Sequence, residues 1–145
     1  DFIPPLSSRS STTQSDLKAG EYDKNGILNY YSEMEKQYIL AAIEDDGTLL
    51  GFVSYKQNYQ SEIVTKTPNI YISTLMLHPA SRGKRLTSKM YEHLFFNLYP
   101  DCRIYTRTWS TNAAHIKILS DFGITEFHRI KNDRGEGIDT VYFTK

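Results

Sequence analysis

The sequence predicts an α/β or α+β fold: a mixed sheet with helices laid across it in a three-layer sandwich. Apolar runs of strand length stand at 37–44, 48–57 and 70–77. Leu86, Met90, Leu94 and Leu98, with Phe95 beside them, make one apolar stripe at a spacing of four, as a helix face requires. The order along the chain reads helix, β, β, β, α, β, α, β, β.

Each element has its own signal. "GILNYYSEMEK" (26–36) reads as a helix. "QYILAAIE" (37–44) is apolar on both faces, as a central strand would be. "DDG" (45–47) is a turn, and "TLLGFVSYKQ" (48–57) returns as its hairpin partner. A variable loop runs through Pro68 to the strand at 70–77. Pro100 ends the helix that carries the leucine stripe. "RIYTRTW" (103–109) alternates as a strand. "STNAAHIKILSDFG" (110–123) is a helix that Ser110 or Thr111 can cap and Gly123 closes. "ITEFHRI" and "GIDTVYFTK" form a last hairpin around the turn-rich "KNDRGEG". Residues 7–15, "SSRSSTTQS", read as a polar loop.

Composition narrows the function. The 145 residues suit one domain, 1–145, with 1–25 partly irregular. Lys plus Arg and Asp plus Glu balance at 17 each, which speaks against a nucleic-acid partner. Neither a membrane span nor a basic amphipathic helix is evident. One cysteine, Cys102, excludes an intrachain disulfide and favours a reducing, cytoplasmic setting. His78, His93, His115 and His128 are scattered without metal-ligand spacing, so no metal is expected. Trp109 ends a strand and either packs under the following helix, the favoured reading, or lines a cleft.

The most informative stretch is "HPASRGKRLTSKMY" (78–91), where a strand runs into a helix. Such a turn leaves backbone N–H groups unpaired at the positive end of the helix dipole. Arg82, Lys84 and Arg85 add charge, Gly83 permits close approach, and Thr87 and Ser88 add hydroxyls. A phosphate or pyrophosphate is the natural guest. Neither G-x-x-x-x-G-K-[ST] nor G-x-G-x-x-G is present, so the guest is not an NTP in a P-loop or a Rossmann-bound NAD.

"LMLHPASRGKRLTSKMY" resembles the GCN5-related N-acetyltransferases. Their fourth strand runs into Arg/Gln-x-x-Gly-x-Gly/Ala, whose amides hold the pyrophosphate of acetyl-CoA. Arg82 matches the first position. Arg85 stands where the first motif Gly is usual, and Thr87 where Gly or Ala is usual. An arginine there should avoid positive φ. The next helix resembles Asn-x-x-Ala-x-x-x-Tyr-x-x-x-Gly-Phe, through Asn112, His115 in the Ala place, Leu119 in the Tyr place, Gly123 and Ile124.

The resemblance implies an acyl-CoA N-acyltransferase fold with a mixed, mostly antiparallel sheet flanked by helices. Its first strand should precede residue 1, or is very divergent. It also implies direct transfer of acetyl from acetyl-CoA to a primary amine on a small molecule or protein; a homodimer is left open. The implied coenzyme contacts are Leu75, Met76, Leu77, Arg82, Gly83, Lys84, Arg85, Leu86, Thr87, Ser88, Asn112 and Leu119. Leu119 replaces the Tyr that protonates the leaving thiolate in many members. His115, Tyr71 and Ser73 are the substitutes, though His115 as a helix-surface residue and Tyr71 as sheet packing are the favoured readings. A tyrosine at 119 is expected to find room. The alternative is a non-catalytic acyl-CoA-binding module.

Overall fold

The computed structural model describes residues 32–145. Among them a six-stranded sheet is ordered β1-β2-β3-β4-β6-β5. The strands are β1 (Tyr38–Ile43), β2 (Leu49–Gln57), β3 (Asn69–Leu77), β4 (Arg103–Trp109), β5 (Thr125–Gly135) and β6 (Ile138–Thr144). The β3–β4 pair is parallel and the other neighbours are antiparallel. The helix predicted over 26–36 falls mostly outside the described residues, and residues 32–34 are helical. The loop read at 7–15 and the missing first strand also lie outside them.

Helix α1 (Leu86–Glu92) connects β3 to β4 and continues as a π-helix over His93–Leu98. Helix α2 (Ala113–Asp121) connects β4 to β5. Both lie on one face of the sheet. Met90, Tyr91, Leu94 and Phe95 of α1 and Leu119 of α2 meet Val53, Ile70, Ile72, Ile104, Val141 and Phe143 in a single core. Phe122 joins the two helices, with its ring 5.6 Å from Phe95 and 6.0 Å from Tyr91.

Several sequence expectations need correction. The 37–44 strand was expected in the centre; among the described residues β1 is the outer strand, paired only to β2. Tyr38, Ile39 and Ile43 are exposed. The predicted stripe fails at its end, because Leu98 is 44% exposed. Tyr99 N–H bonds to the Leu94 carbonyl, five residues back, and this wider winding turns residue 98 off the stripe. The cap of α2 is Asn112, not Ser110 or Thr111: its side chain accepts from His115 N–H. The segment 131–135 extends β5 rather than forming loop, with the register interrupted between Ile130 and Gly135.

Two irregularities shape the centre. The β2–β3 register steps from Ser54↔Thr74 to Tyr55↔Ile72, so Ser73 is an extra residue, a β-bulge that bends β3. The β3–β4 pairing then ends at Ile72↔Thr106, where Thr106 Oγ1 donates to the Ile72 carbonyl at 3.1 Å. Beyond it, β4 is held by β6 through Trp109, while β3 follows β2 to Leu77. The two central strands therefore part in a wedge at their C-terminal ends.

Candidate active site

β3 carries the chain from the wedge into the turn that follows it. β3 ends at Leu77, and a single 3₁₀ turn, Pro79–Ser81, follows. His78 caps it, with Nδ1 accepting from Ala80 N–H at 3.2 Å. This places His78 in the turn, as its position before Pro79 suggested.

The chain then takes two left-handed steps, Gly83 at φ 75° and Arg85 at φ 58°. They turn the backbone sharply between β3 and α1. The first amide to bond back along α1 is Lys89, to the Arg85 carbonyl at 3.1 Å. Among the described residues, the amides from Gly83 to Ser88 make no backbone hydrogen bond. Arg82, Lys84 and Arg85 are exposed, Leu86 and Ser88 are half-buried and Thr87 is buried. A Cβ built on Gly83 would meet no atom within 4 Å, so the loop is open to a ligand.

Arg85 contradicts the expectation that it would avoid positive φ. It lies fully in the left-handed region, at ψ 22°, which costs a non-glycine residue about 1–2 kcal/mol. Arg85→Gly should therefore raise stability, by about 1 kcal/mol, with the turn intact. Urea unfolding would check this; a lower midpoint at unchanged slope would show that the Arg85 side chain outweighs the strain.

Leu75 and Leu77 pack toward the helix-face core, and Met76 is buried. Opposite them, a Cβ on Gly51 would come within 2.6 Å of the Met76 carbonyl oxygen and the Leu77 side chain. Gly51 thus lets β2 hold the strand end closely. Sequence reasoning missed it, although a glycine inside a strand pattern is the signal for such an approach. No residue of β3 from Ser73 onward pairs with β4. Ser73 Oγ is buried without a hydrogen-bond partner.

α2 flanks the site. Asn112 Nδ2 donates to Thr108 Oγ1 at 3.1 Å while its Oδ1 caps the helix. His115 is buried, not on the surface. Its Nε2 lies 2.7 Å from the Tyr91 hydroxyl of α1, and burial lowers its pKa to about 4. The ring is therefore neutral near pH 7 and joins the two helices. Leu119 is fully buried in the core, which does not offer the room expected for a tyrosine.

Tyr71 projects from the sheet face opposite the helices, where Val64 and Tyr105 also pack. Burial pushes its phenol well above the usual tyrosine range, so it holds its proton. Trp109 is buried, with the Arg134 guanidinium 5.7 Å from its ring centre; it packs on this face and not under α2. Among the described residues, no three His, Cys, Asp or Glu side chains converge as metal ligands. No helix there is long and apolar enough to cross a membrane.

Comparison with known proteins accords with this geometry. The family model "Acetyltransferase (GNAT) family" matches residues 7–123, and the chain belongs to that family. No curated protein matches. Among solved structures, the yncA protein of Salmonella typhimurium, solved with its cofactor acetyl-CoA, has a TM-score of 0.68 at 17% identity, covering 99% of this chain and 83% of its own. Ribosomal-protein-alanine N-acetyltransferase from Brucella melitensis gives 0.68 at 15% identity, over 99% and 89%. An N-acetyltransferase from Staphylococcus aureus Mu50 gives 0.63 at 16%, over 92% and 82%. The protein is an acetyl-CoA-dependent acyltransferase. The open loop at Gly83–Ser88 and the wedge beside Ser73 fit its coenzyme.

Proposed function

We propose that this protein transfers acetyl from acetyl-CoA to a primary amine by direct attack within a ternary complex. The observation that carries this reading is the parting of β3 from β4 after Ile72↔Thr106, which leads directly into the amide-lined loop. The coenzyme supplies an activated acetyl thioester. Gly83 to Ser88 would hold its pyrophosphate. Backbone of Leu75–Leu77, unpaired with β4, would bind the chain that follows and polarise the thioester carbonyl by amide donation.

Proton handling follows from what each group can give. Leu119 has no proton to donate. His115 is neutral, and its Nε2 is engaged with Tyr91, which favours a structural role for it. Ser73 and Tyr71 are protonated hydroxyls near the wedge, and either can relay a proton. A thiolate is also a good enough leaving group to depart with help from water alone. The cytoplasmic setting remains part of the proposal, resting on cysteine usage.

The amine must shed its proton before it attacks. kcat/KM should therefore rise with pH and reach a plateau, the limb reporting the acceptor or its base. Steady-state thiol release across about pH 6 to 9 would show this. A flat profile, with the chemical step shown to be rate-limiting, would count against an amine acceptor.

A further inference from the structure

The sheet face turned away from α1 and α2 holds a cavity of about 210 Å³. Its walls include Tyr59, Tyr71, Arg107 and Tyr142. Tyr71 comes just before the last β3–β4 pair, Ile72↔Thr106, and Arg107 just after it. The cavity therefore straddles the point where the two central strands part. An acceptor held there would lie next to a thioester in the wedge.

The wall around Tyr71 is fixed. Its ring packs with Val64 and Tyr105 and lies 4.6 Å from the Tyr59 ring, centre to centre. The loop after β2, which carries Tyr59, is clasped by the buried side chain of Asn69. Asn69 Nδ2 donates to the carbonyls of Tyr59 and Lys66 at 2.9 and 2.6 Å, and its Oδ1 accepts from Tyr59 N–H at 3.1 Å. The cavity hydroxyls differ in what they already hold. That of Tyr142 accepts from Arg107 Nη1 at 3.1 Å. That of Tyr71 makes no hydrogen bond among the described residues, and it is not sealed off as Ser73 Oγ is. Burial keeps it protonated, so its oxygen is a neutral acceptor. Tyr71 also belongs to the strand that runs into the wedge, whereas Tyr59 lies on the loop.

Resting on the N-acetyltransferase reading above, we propose that the Tyr71 hydroxyl positions the acceptor in this cavity and selects a primary amine over a secondary one. A primary amine brings two N–H bonds to the attack on a thioester. One proton must leave as the amide forms, to water or another base. The second N–H stays on the product and can donate to the Tyr71 oxygen throughout the attack. A secondary amine has a single N–H, which must be shed, so its bond to Tyr71 is lost as the amide forms. A hydrogen bond that persists in the transition state for one acceptor and not the other discriminates between them.

Matched amines test this. Propylamine is compared with N-methylpropylamine, and isopentylamine with N-methylisopentylamine, with thiol release as the readout. In the wild type the primary member of each pair should be favoured in kcat/KM on the order of 10-fold or more. Tyr71→Phe should lower kcat/KM for the primary members by about 10-fold, with much less loss on the secondary ones. The steric cost of the extra methyl group is common to both proteins, so the shrinking preference isolates the hydroxyl. KM for acetyl-CoA should not change. Because the hydroxyl has no partner in the protein, urea unfolding should find Tyr71→Phe at least as stable as the wild type. Equal use of both members by the wild type, equal loss on both in Tyr71→Phe, or a markedly destabilised Tyr71→Phe would overturn the proposal. If no amine is acetylated, the transfer reading fails, and calorimetric titration of the primary amines into CoA-saturated wild type and Tyr71→Phe still decides the site. Weaker binding by Tyr71→Phe supports it; equal or absent binding overturns it.

Discussion

Gly83→Asp should abolish coenzyme binding in a protein that still folds. Space is not the obstacle, because no atom lies within 4 Å of a Cβ built there. Backbone conformation is a small one, since Asp tolerates the left-handed region that Gly83 occupies at φ 75°. What changes is charge. A carboxylate would sit among the amides proposed to hold the pyrophosphate, and like charges about 4 Å apart repel by about 4 kcal/mol near a protein surface. Binding should weaken on the order of 100-fold or more. Gly83→Asn has nearly the same shape and no charge, so it should lose far less. Titration calorimetry with CoA, beside circular dichroism, separates the cases. Undiminished affinity in a folded Gly83→Asp protein would remove the phosphate role of the loop. The exposed cations Arg82, Lys84 and Arg85 should matter less singly, and their effect should fade with salt.

The second large effect is on stability. Burial lowers the His115 pKa from 6.5 to about 4. Between those values the unfolded chain binds a proton that the folded one refuses. Folding stability is then full above about pH 6.5 and falls as pH drops toward 4. A shift of this size corresponds to about 3 kcal/mol. Carboxylates such as Glu126 and the half-buried Asp139, whose pKa values are also lowered, add their own acid sensitivity, so the comparison must be between variants. Wild type should lose about 2–3 kcal/mol more than His115→Gln between neutral pH and about pH 4.5. Urea unfolding at several pH values would show it. Parallel curves would mean that His115 is protonated or solvated in the native state. In that case its candidacy as the acid for the leaving thiolate revives, and kcat of His115→Gln would decide it.

Much of the fold was legible because its elements have strong local signals. β4 runs Arg103–Trp109, as its alternation predicted, and β3 gains only Asn69. The turn between β3 and α1 was legible from Gly83 and from the end of the apolar run before it. What was hidden depends on pairing across the chain. The bulge at Ser73 exists only in register with β2, and no local pattern announces it. β1 is as apolar as a central strand, yet its place depends on what lies beside it. Arg107 meets Tyr142 because β4 and β6 align them, and Arg134 arrives through an irregular stretch of β5. The burial of His115 had a signal that was passed over. Positions 115, 119 and 122 share a helix face, and two of the three are apolar. Arg85 misled for a different reason: the left-handed turn that the loop requires outweighed the preference of the residue.

The transfer reading is tested most directly by one measurement. Purified protein is incubated with acetyl-CoA and the matched amines, and thiol release and product mass are followed together. Free thiol should appear one-for-one with an N-acetylated amine, at a rate well above the hydrolysis seen without acceptor. Firm acetyl-CoA binding with no acetylated amine and no thiol beyond hydrolysis would contradict the reading and leave a module that binds acyl-CoA without transferring it.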